Sequence, residues 1–265
     1  MMRTVLAILC FATAVHADAP KKLLLVGQGP DGHPKQTHEY TAGVEIVAKC
    51  LKDFPGIETT VVMADGPWKE GPELIERADG VLLFVSEGAK WVSADPKRLE
   101  AFQRLAKRGG GLAVLHWGMG TRDVEPIAPF VAMFGGCHGG PDRKYKVLDK
   151  VELVPLAKDH PVLTAVGPVA SKEELYYKLK FPKDEKGLTA LLKANVDGTD
   201  ETVCWAWERP DGGRSFGFSG LHFHDNWKLP EYRRLVGQAA LWIVKQPVPE
   251  KGLKVELSEK DLQVK

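Results

Sequence analysis

The sequence predicts a doubly wound α/β fold: a mostly parallel β-sheet with helices on both faces, extended by further strands from the second half of the chain. Three observations lead there. Short, unbroken apolar runs recur between glycine-bearing turns, as strands buried on both faces require. Amphipathic stretches of helical period separate them. The spacing of strand, helix and strand fits right-handed βαβ crossovers packed against a parallel sheet.

Lys21 to Gly29 (KKLLLVGQG) is the first strand, closed by glycines. A helix follows, capped by Thr37 or an adjacent polar residue, with Val44, Val47, Ala48 and Leu51 at helical spacing and a stop at Pro55. Ile57 to Asp65 is the second strand, Glu73 to Asp79 a short helix, and Gly80 to Glu87 the third strand. The stretch from Asp95 has an acidic cap and a proline in its first turn, carries Leu99, Phe102, Leu105 and Ala106 on one face, and ends at Gly109. Gly111 to Gly118 (GLAVLHWG) is the fourth strand. From Arg143 the pattern changes to longer strands, 145–156, 189–196 and 202–222, with a hairpin turn at Pro210-Asp211-Gly212-Gly213. These extend the sheet as antiparallel or edge strands. The last helix starts at Pro230 and packs Leu235, Val236, Ala239, Leu241 and Trp242; the Pro- and Lys-rich tail from Lys245 onward wraps or frays.

The first seventeen residues, MMRTVLAILCFATAVHA, combine one Arg, an apolar run from Val5 to Val15 and a cleavage-compatible Val15 and Ala17. They are read as a secretory signal, which makes the mature protein an exported one, periplasmic or extracellular. A lipoprotein reading through Cys10 fits less well, since Ala-Ile-Leu-Cys lacks a small residue before the Cys. The expected organisation is a signal over 1–17, one α/β domain over 18–245 and a tail over 246–265. The run is too short for a permanent anchor, so no membrane insertion is expected. Lys and Arg number 36 against 35 Asp and Glu, which removes the basic field that nucleic acid or an anionic membrane surface would need. Cys50, Cys137 and Cys204 remain after export, allowing at most one disulfide; three unpaired thiols is the simpler expectation.

In a doubly wound sheet ligands bind beyond the carboxyl ends of the strands. The loop after the first strand carries Asp31, His33 and His38; that after the third, Ser86 and Glu87; that after the fourth, His116, Trp117 and Arg122; and that after the last long strand, His222, His224 and Asp225. His138 lies in the flexible Gly135 to Gly140 segment (GGCHGG). Most of the histidines after Ala17 thus fall where the fold would gather them, whereas His160, in Lys-Asp-His-Pro, reads as a turn residue. His116 and His222 are the prime candidates, as acid/base groups working with a carboxylate such as Glu174 or as ligands, with His224, of zinc or a similar divalent ion. His222-Phe-His224 would place two rings on one face of an extended strand, although no HExxH or paired CxxC is present. Nucleophile motifs fail: no GxSxG elbow follows the fourth strand, and Cys137 is assigned to packing. The glycines after the first strand do not form GxGxxG, so no nucleotide cofactor is expected. Trp117 and Trp227, each beside a loop histidine, are candidate faces for a sugar ring.

The segments GGGLAVLH (Gly109 to His116), HPVLTAVGPVASKEELYY (His160 to Tyr177) and SGLHFHDNW with EYRRLVGQAALWIV resemble those of the trehalose-utilisation, or ThuA-like, proteins in their order and spacing. The resemblance implies a flavodoxin-like, class I glutamine amidotransferase-like sandwich without the amidotransferase cysteine. It implies a role in carbohydrate catabolism, on disaccharides or their 3-keto derivatives, and points to His38, His116, Glu174, Tyr176 and His222. The late motif departs from the family pattern in reading Ser-Gly-Leu-His, with a second His two positions on. The expected protein is an exported carbohydrate enzyme in which His116, His222 and Glu174 do chemistry and His38, Trp117, Tyr176, His138 and Trp227 bind substrate. Its partner is a small carbohydrate; homo-oligomers are open. A non-catalytic sugar- or protein-binding module and a metal-dependent hydrolase of a non-sugar substrate are the alternatives.

Overall fold

The structure is a computed structural model and describes residues 19–264; the signal expected over 1–17 lies outside the described residues. The chain runs β1 (Lys21–Gly27), α1 (Tyr40–Leu51), β2 (Ile57–Met63), α2 (Gly71–Arg77), β3 (Gly80–Leu83), α3 (Gly88–Ala94), α4 (Pro96–Lys107), β4 (Gly111–Leu115), β5 (Gly120–Thr121), α5 (Ile127–Phe134), β6 (His138–Gly139), β7 (Lys144–Pro155), β8 (Val169–Tyr177), β9 (Leu188–Val196), β10 (Thr199–Glu208), β11 (Arg214–Phe218) and α6 (Pro230–Ile243). The main sheet has the order β2-β1-β3-β4-β11-β10-β9-β7-β8. From β2 to β11 all neighbours are parallel. Only β10 and β7 run against the other strands. The parallel half therefore has the flavodoxin-like order 2-1-3-4-5, with its switch point between β1 and β3.

The period-two alternation of the central strands divides the core. Leu23, Leu25, Leu82, Ala113 and Leu115 pack with α1 and α6 on one face. Leu24, Val26, Val81, Leu83, Leu112 and Val114 meet α2, α3, α4 and α5 on the other. This is why β3 and β4 read as continuous apolar runs: every residue in them is buried. α4 begins as its sequence dictates, with Asp95 accepting from the backbone N–H groups of Lys97 and Arg98 ahead of Pro96 at the first position.

The expected turn at Pro210 to Gly213 closes the β10–β11 hairpin, with Gly212 at φ 81°. Beside it Arg209, buried, donates to the carbonyls of Ala106, Gly110 and Arg214 and to Ser215 Oγ, and pairs with Asp211. It ties the hairpin to the end of α4. The tail wraps: Leu253, Val255 and Leu262 are buried, Arg233 of α6 donates to the Val255 carbonyl, and Gln238 accepts from Leu253 N–H. Cys50, Cys137 and Cys204 are free and buried, and among the described residues no helix is long and apolar enough to cross a membrane.

The β7–β8 ribbon pairs with the rest of the sheet only over its end, where Val154 and Pro155 lie opposite Lys193 and Leu192 of β9 and Leu156 N–H donates to the Leu191 carbonyl. Freed from the sheet, it folds over the carboxyl ends of β4 and β11, where Glu173 of β8 accepts from the N–H groups of Leu221 and His222.

Two stability predictions follow from these contacts. Arg209→Ala strands several buried carbonyls and should lower unfolding free energy by about 3–5 kcal/mol, read from urea denaturation. His160, a turn residue as expected, accepts at Nδ1 from Val162 N–H and packs on Trp242. Burial depresses its pKa below the ordinary 6.5, helped by Arg214 and opposed by Glu208. The folded state thus prefers the neutral ring, so its contribution is whole above pH 6.5 and is lost as pH falls below it. His160→Asn, which retains a capping side chain, should flatten the stability profile below pH 6.5.

Candidate functional site

Four loops leave the carboxyl ends of β1, β3, β4 and β11 around the switch point, and their backbones are strained where they carry the key side chains. β4 stops at Leu115 rather than running on to Gly118, because His116 takes φ 45° and opens a 3-10 turn. This sharp turn after the fourth strand presents an imidazole where a nucleophile elbow would present its nucleophile. His38 (φ 54°), Glu87 (φ 42°) and Leu221 (φ 79°) are also in the left-handed region, unfavourable for residues with a Cβ. Close packing holds the turn in place: a Cβ on Gly88, at the start of α3, would lie 2.0 Å from the Gly118 carbonyl.

The loops bring three imidazoles together. His38 Nε2 lies 3.0 Å from His116 Nε2 and 3.0 Å from His222 Nδ1, and the latter two are 3.2 Å apart. Glu174 Oε1, from β8, lies 3.8 Å from His116 Nε2 and 3.6 Å from His222 Nδ1. All four residues are buried or nearly so.

Outer partners determine which nitrogens carry protons. The Ser219 carbonyl can only accept, so at 2.7 Å it requires His116 Nδ1–H. Asp31 Oδ2 sits 3.0 Å from His38 Nδ1 and also accepts from Tyr40 Oη and Ser86 Oγ. Burial works to raise the Asp31 pKa, but its bonds with His38, Tyr40 and His33 prevail and hold it below the usual carboxylate range. An ionised Asp31 calls for His38 Nδ1–H. Both Nε2 lone pairs then face each other at 3.0 Å. Burial also disfavours adding a proton: it lowers His116 far below the ordinary value, and His222, with help from His38 and His33, to about 3. Two bare imidazole nitrogens, with His222 Nδ1 and a carboxylate beside them, make a donor set that could hold a cation. Its nitrogen spacing falls within the roughly 2.9–3.4 Å edges of a coordination sphere with ligands at 2.0–2.1 Å. The Asp31–His38 and Ser219–His116 contacts are the outer-shell bonds that fix ligating tautomers.

Above the cluster opens a cavity of about 120 Å³ lined by Trp117, His138, Tyr176, Glu174 and the guanidinium groups of Arg122 and Arg143, among others. It is well below the roughly 300–1,000 Å³ of drug-sized pockets, so it admits a small ligand or the end of a longer one. Tyr176 stacks between His116 and His138, at centroid distances of 4.4 and 4.0 Å, and its hydroxyl is 3.0 Å from His116 Nε2.

The structure thus brings together His38, His116, Glu174, Tyr176, His222, Trp117 and His138. It separates two others. His224 is not a member of the cluster: β11 ends at Phe218, a 3-10 turn opens at His224, and its Nε2 faces the Leu262 carbonyl instead. His38 takes the place expected for it. Trp227 is core rather than mouth, 1% exposed and set against Gly43 of α1. Glu173, unassigned from sequence, is fully buried and accepts from the N–H groups of Glu174, Leu221 and His222 and from Asn226 Nδ2. Burial pushes its pKa up to about 7 against these four donors. The adjacent glutamates on a strand were its only signal, since alternation sends one to each face.

Fold and site define a flavodoxin-like α/β protein with a buried three-histidine, one-carboxylate centre at its switch-point edge. The chain belongs to the ThuA family, described as trehalose utilisation, whose sequence pattern it matches over residues 25–243. Its fold is similar to that of a ThuA-like protein from Bacteroides uniformis (17% identity, TM-score 0.65, covering 89% of this chain and 96% of that one). It is likewise similar to a ThuA-like protein from Parabacteroides merdae (15%, 0.64, 94% and 100%). A GH42 β-galactosidase matches with 31% of its own length and 87% of this chain, at 11% identity and a TM-score of 0.53. No curated protein matches in sequence.

Glu173→Gln should cost about 1–3 kcal/mol in urea denaturation, because an amide NH₂ must then face a buried N–H donor.

Proposed function

We propose that this chain is an exported enzyme of carbohydrate catabolism that acts on a disaccharide or a 3-keto-glycoside, with a divalent cation such as zinc held by His38, His116 and His222. The observation that carries the reading is the pair of Nε2 lone pairs at 3.0 Å, each forced by an outer acceptor. When bound there, the cation supplies a Lewis acid for a sugar carbonyl or hydroxyl. The family's description supports a disaccharide substrate, and the amino-terminal apolar run supports export.

The remaining residues suit elimination from a keto-sugar. Glu174 lines the cavity and stands farther from the nitrogens than they do from each other. Burial raises its pKa, which makes it a better base near neutral pH. It takes the proton on C2, beside the C3 ketone; that electron pair forms the C1=C2 bond as the C1–O glycosidic bond breaks. Tyr176, kept protonated by burial and by the charge of Glu174, hands its proton to the departing oxygen. Its hydrogen bond with Glu174 returns a proton to it and restores both groups.

The test is elemental analysis of protein purified without a metal column, alongside turnover of a panel of disaccharides, neutral and acidic, and of their 3-keto derivatives. Near-stoichiometric metal in the wild type, lost in His116→Ala/His222→Ala, is expected; its absence from both overturns the metal assignment. Glu174→Gln should retain metal and lose about 10²–10⁴-fold in kcat, and unchanged turnover would remove it as the base. Export predicts a mature form beginning near Asp18, recovered outside the cytoplasm.

A further inference from the structure

The cavity is lined by His38 and Glu174 of the cluster and, besides them, by His138, Arg122 and Arg143. Arg122 is neutralised by Glu87, at 2.7 Å, and lies over the Trp117 ring. Lys180, near His138, is likewise paired with Asp142 at 2.8 Å. Arg143 differs: its guanidinium makes one hydrogen bond, to the Gly140 carbonyl at 3.2 Å, and no carboxylate among the described residues pairs with it. It is half-buried, at the start of the ribbon that closes over the site.

His138 supplies a second, independent observation. It is 2% exposed, and its Nε2 is buried with no hydrogen-bond partner. Such an orphan costs free energy unless something pairs with it. The plane of the ring is held by its stack on Tyr176, within 4° of parallel, and by the edge contact with Trp117. Burial, then the charges of Arg143 and Lys180, lower its pKa to about 3. In the tautomer with the proton on Nε2, the neutral ring offers an unpaired N–H rather than a charge. An unpaired guanidinium and an unpartnered imidazole that line one cavity, with the Arg143 charge close enough to act on the ring, are the complement of an oxyanion, which accepts hydrogen bonds at every oxygen.

We propose that Arg143 and His138 form an oxyanion subsite, so that the substrate is a sugar bearing a negative group, as in a uronic acid, whose charged end lies on these two residues. This deepens the functional reading above and rests on the histidine cluster as the reaction centre. A neutral glucosyl unit would leave the Arg143 charge unanswered, whereas a carboxylate on the sugar engages it bidentately. Phosphate and sulfate esters share that chemistry.

Calorimetric titration of the metal-loaded protein with D-glucuronate, D-glucose and inorganic phosphate tests the subsite without requiring turnover, so its outcome is separate from that of the keto-sugar assay. Glucuronate is expected to bind at least tenfold more tightly than glucose. Arg143→Gln should abolish that preference and Arg143→Lys restore part of it, while His138→Phe, which retains the stack on Tyr176, should weaken glucuronate alone. Phosphate binding that depends on Arg143 and exceeds that of glucuronate would retain the subsite and make the group a phosphoryl ester. Equal affinity for glucose and glucuronate, or glucuronate affinity unchanged in Arg143→Gln, overturns it. So does binding that vanishes when the metal is stripped yet survives Arg143→Gln, since the anion would then sit on the cation.

Discussion

Everything at the carboxyl edge of this sheet is arranged around one repulsive contact: two buried imidazole nitrogens, each with its lone pair inward, 3.0 Å apart. Left alone, such a contact would relax by turning a ring. It cannot, because Asp31 holds one ring and the Ser219 carbonyl the other, while the backbones beneath them sit at positive φ. Residues held in such conformations cost about 1–3 kcal/mol each. The fold sustains several of them in one place, around a set of side chains that could hold a cation.

The two halves of the chain contribute unequally. The flavodoxin-like half supplies the loops of His38 and His116, and β11, which completes the parallel set, delivers His222. The β7–β8 ribbon then closes the mouth, bringing Glu174 and Tyr176 to the nitrogens and Arg143 to the rim. Glu173 joins these halves: one carboxylate binds the N–H groups of the Leu221–His222 loop and the Asn226 amide. The scaffold sets the geometry of the three histidines, and the ribbon supplies the carboxylate and hydroxyl beside them.

Much of this was legible in the sequence because it follows from local rules. β1, β3 and β4 announced themselves as apolar runs, and the carboxyl-end rule selected the loops of His38, His116 and His222. What failed depended on backbone angles or long-range folding. His224 looked paired with His222 only if the strand ran on through both, and β11 ends at Phe218 while a 3-10 turn opens at His224. Trp227 sits beside a site histidine in sequence, but the same 3-10 turn points it into the core. α3 and α5 are short and carried no periodic pattern long enough to read. β8 was hidden by buried glutamates, which run against the apolar signature of a strand and have meaning only when the ribbon is folded over the loops they serve.

The most direct test of the account is the protonation of the histidines themselves. Long-range proton–nitrogen correlation spectra of ¹⁵N-histidine-labelled, metal-free protein report which ring nitrogen of each residue carries hydrogen. The account predicts Nδ1–H with a bare Nε2 on both His38 and His116 at neutral pH, and a shift of those Nε2 resonances when zinc is added. A proton on either Nε2, unmoved by zinc, would mean a hydrogen-bonded histidine network that needs no cation, and would contradict it.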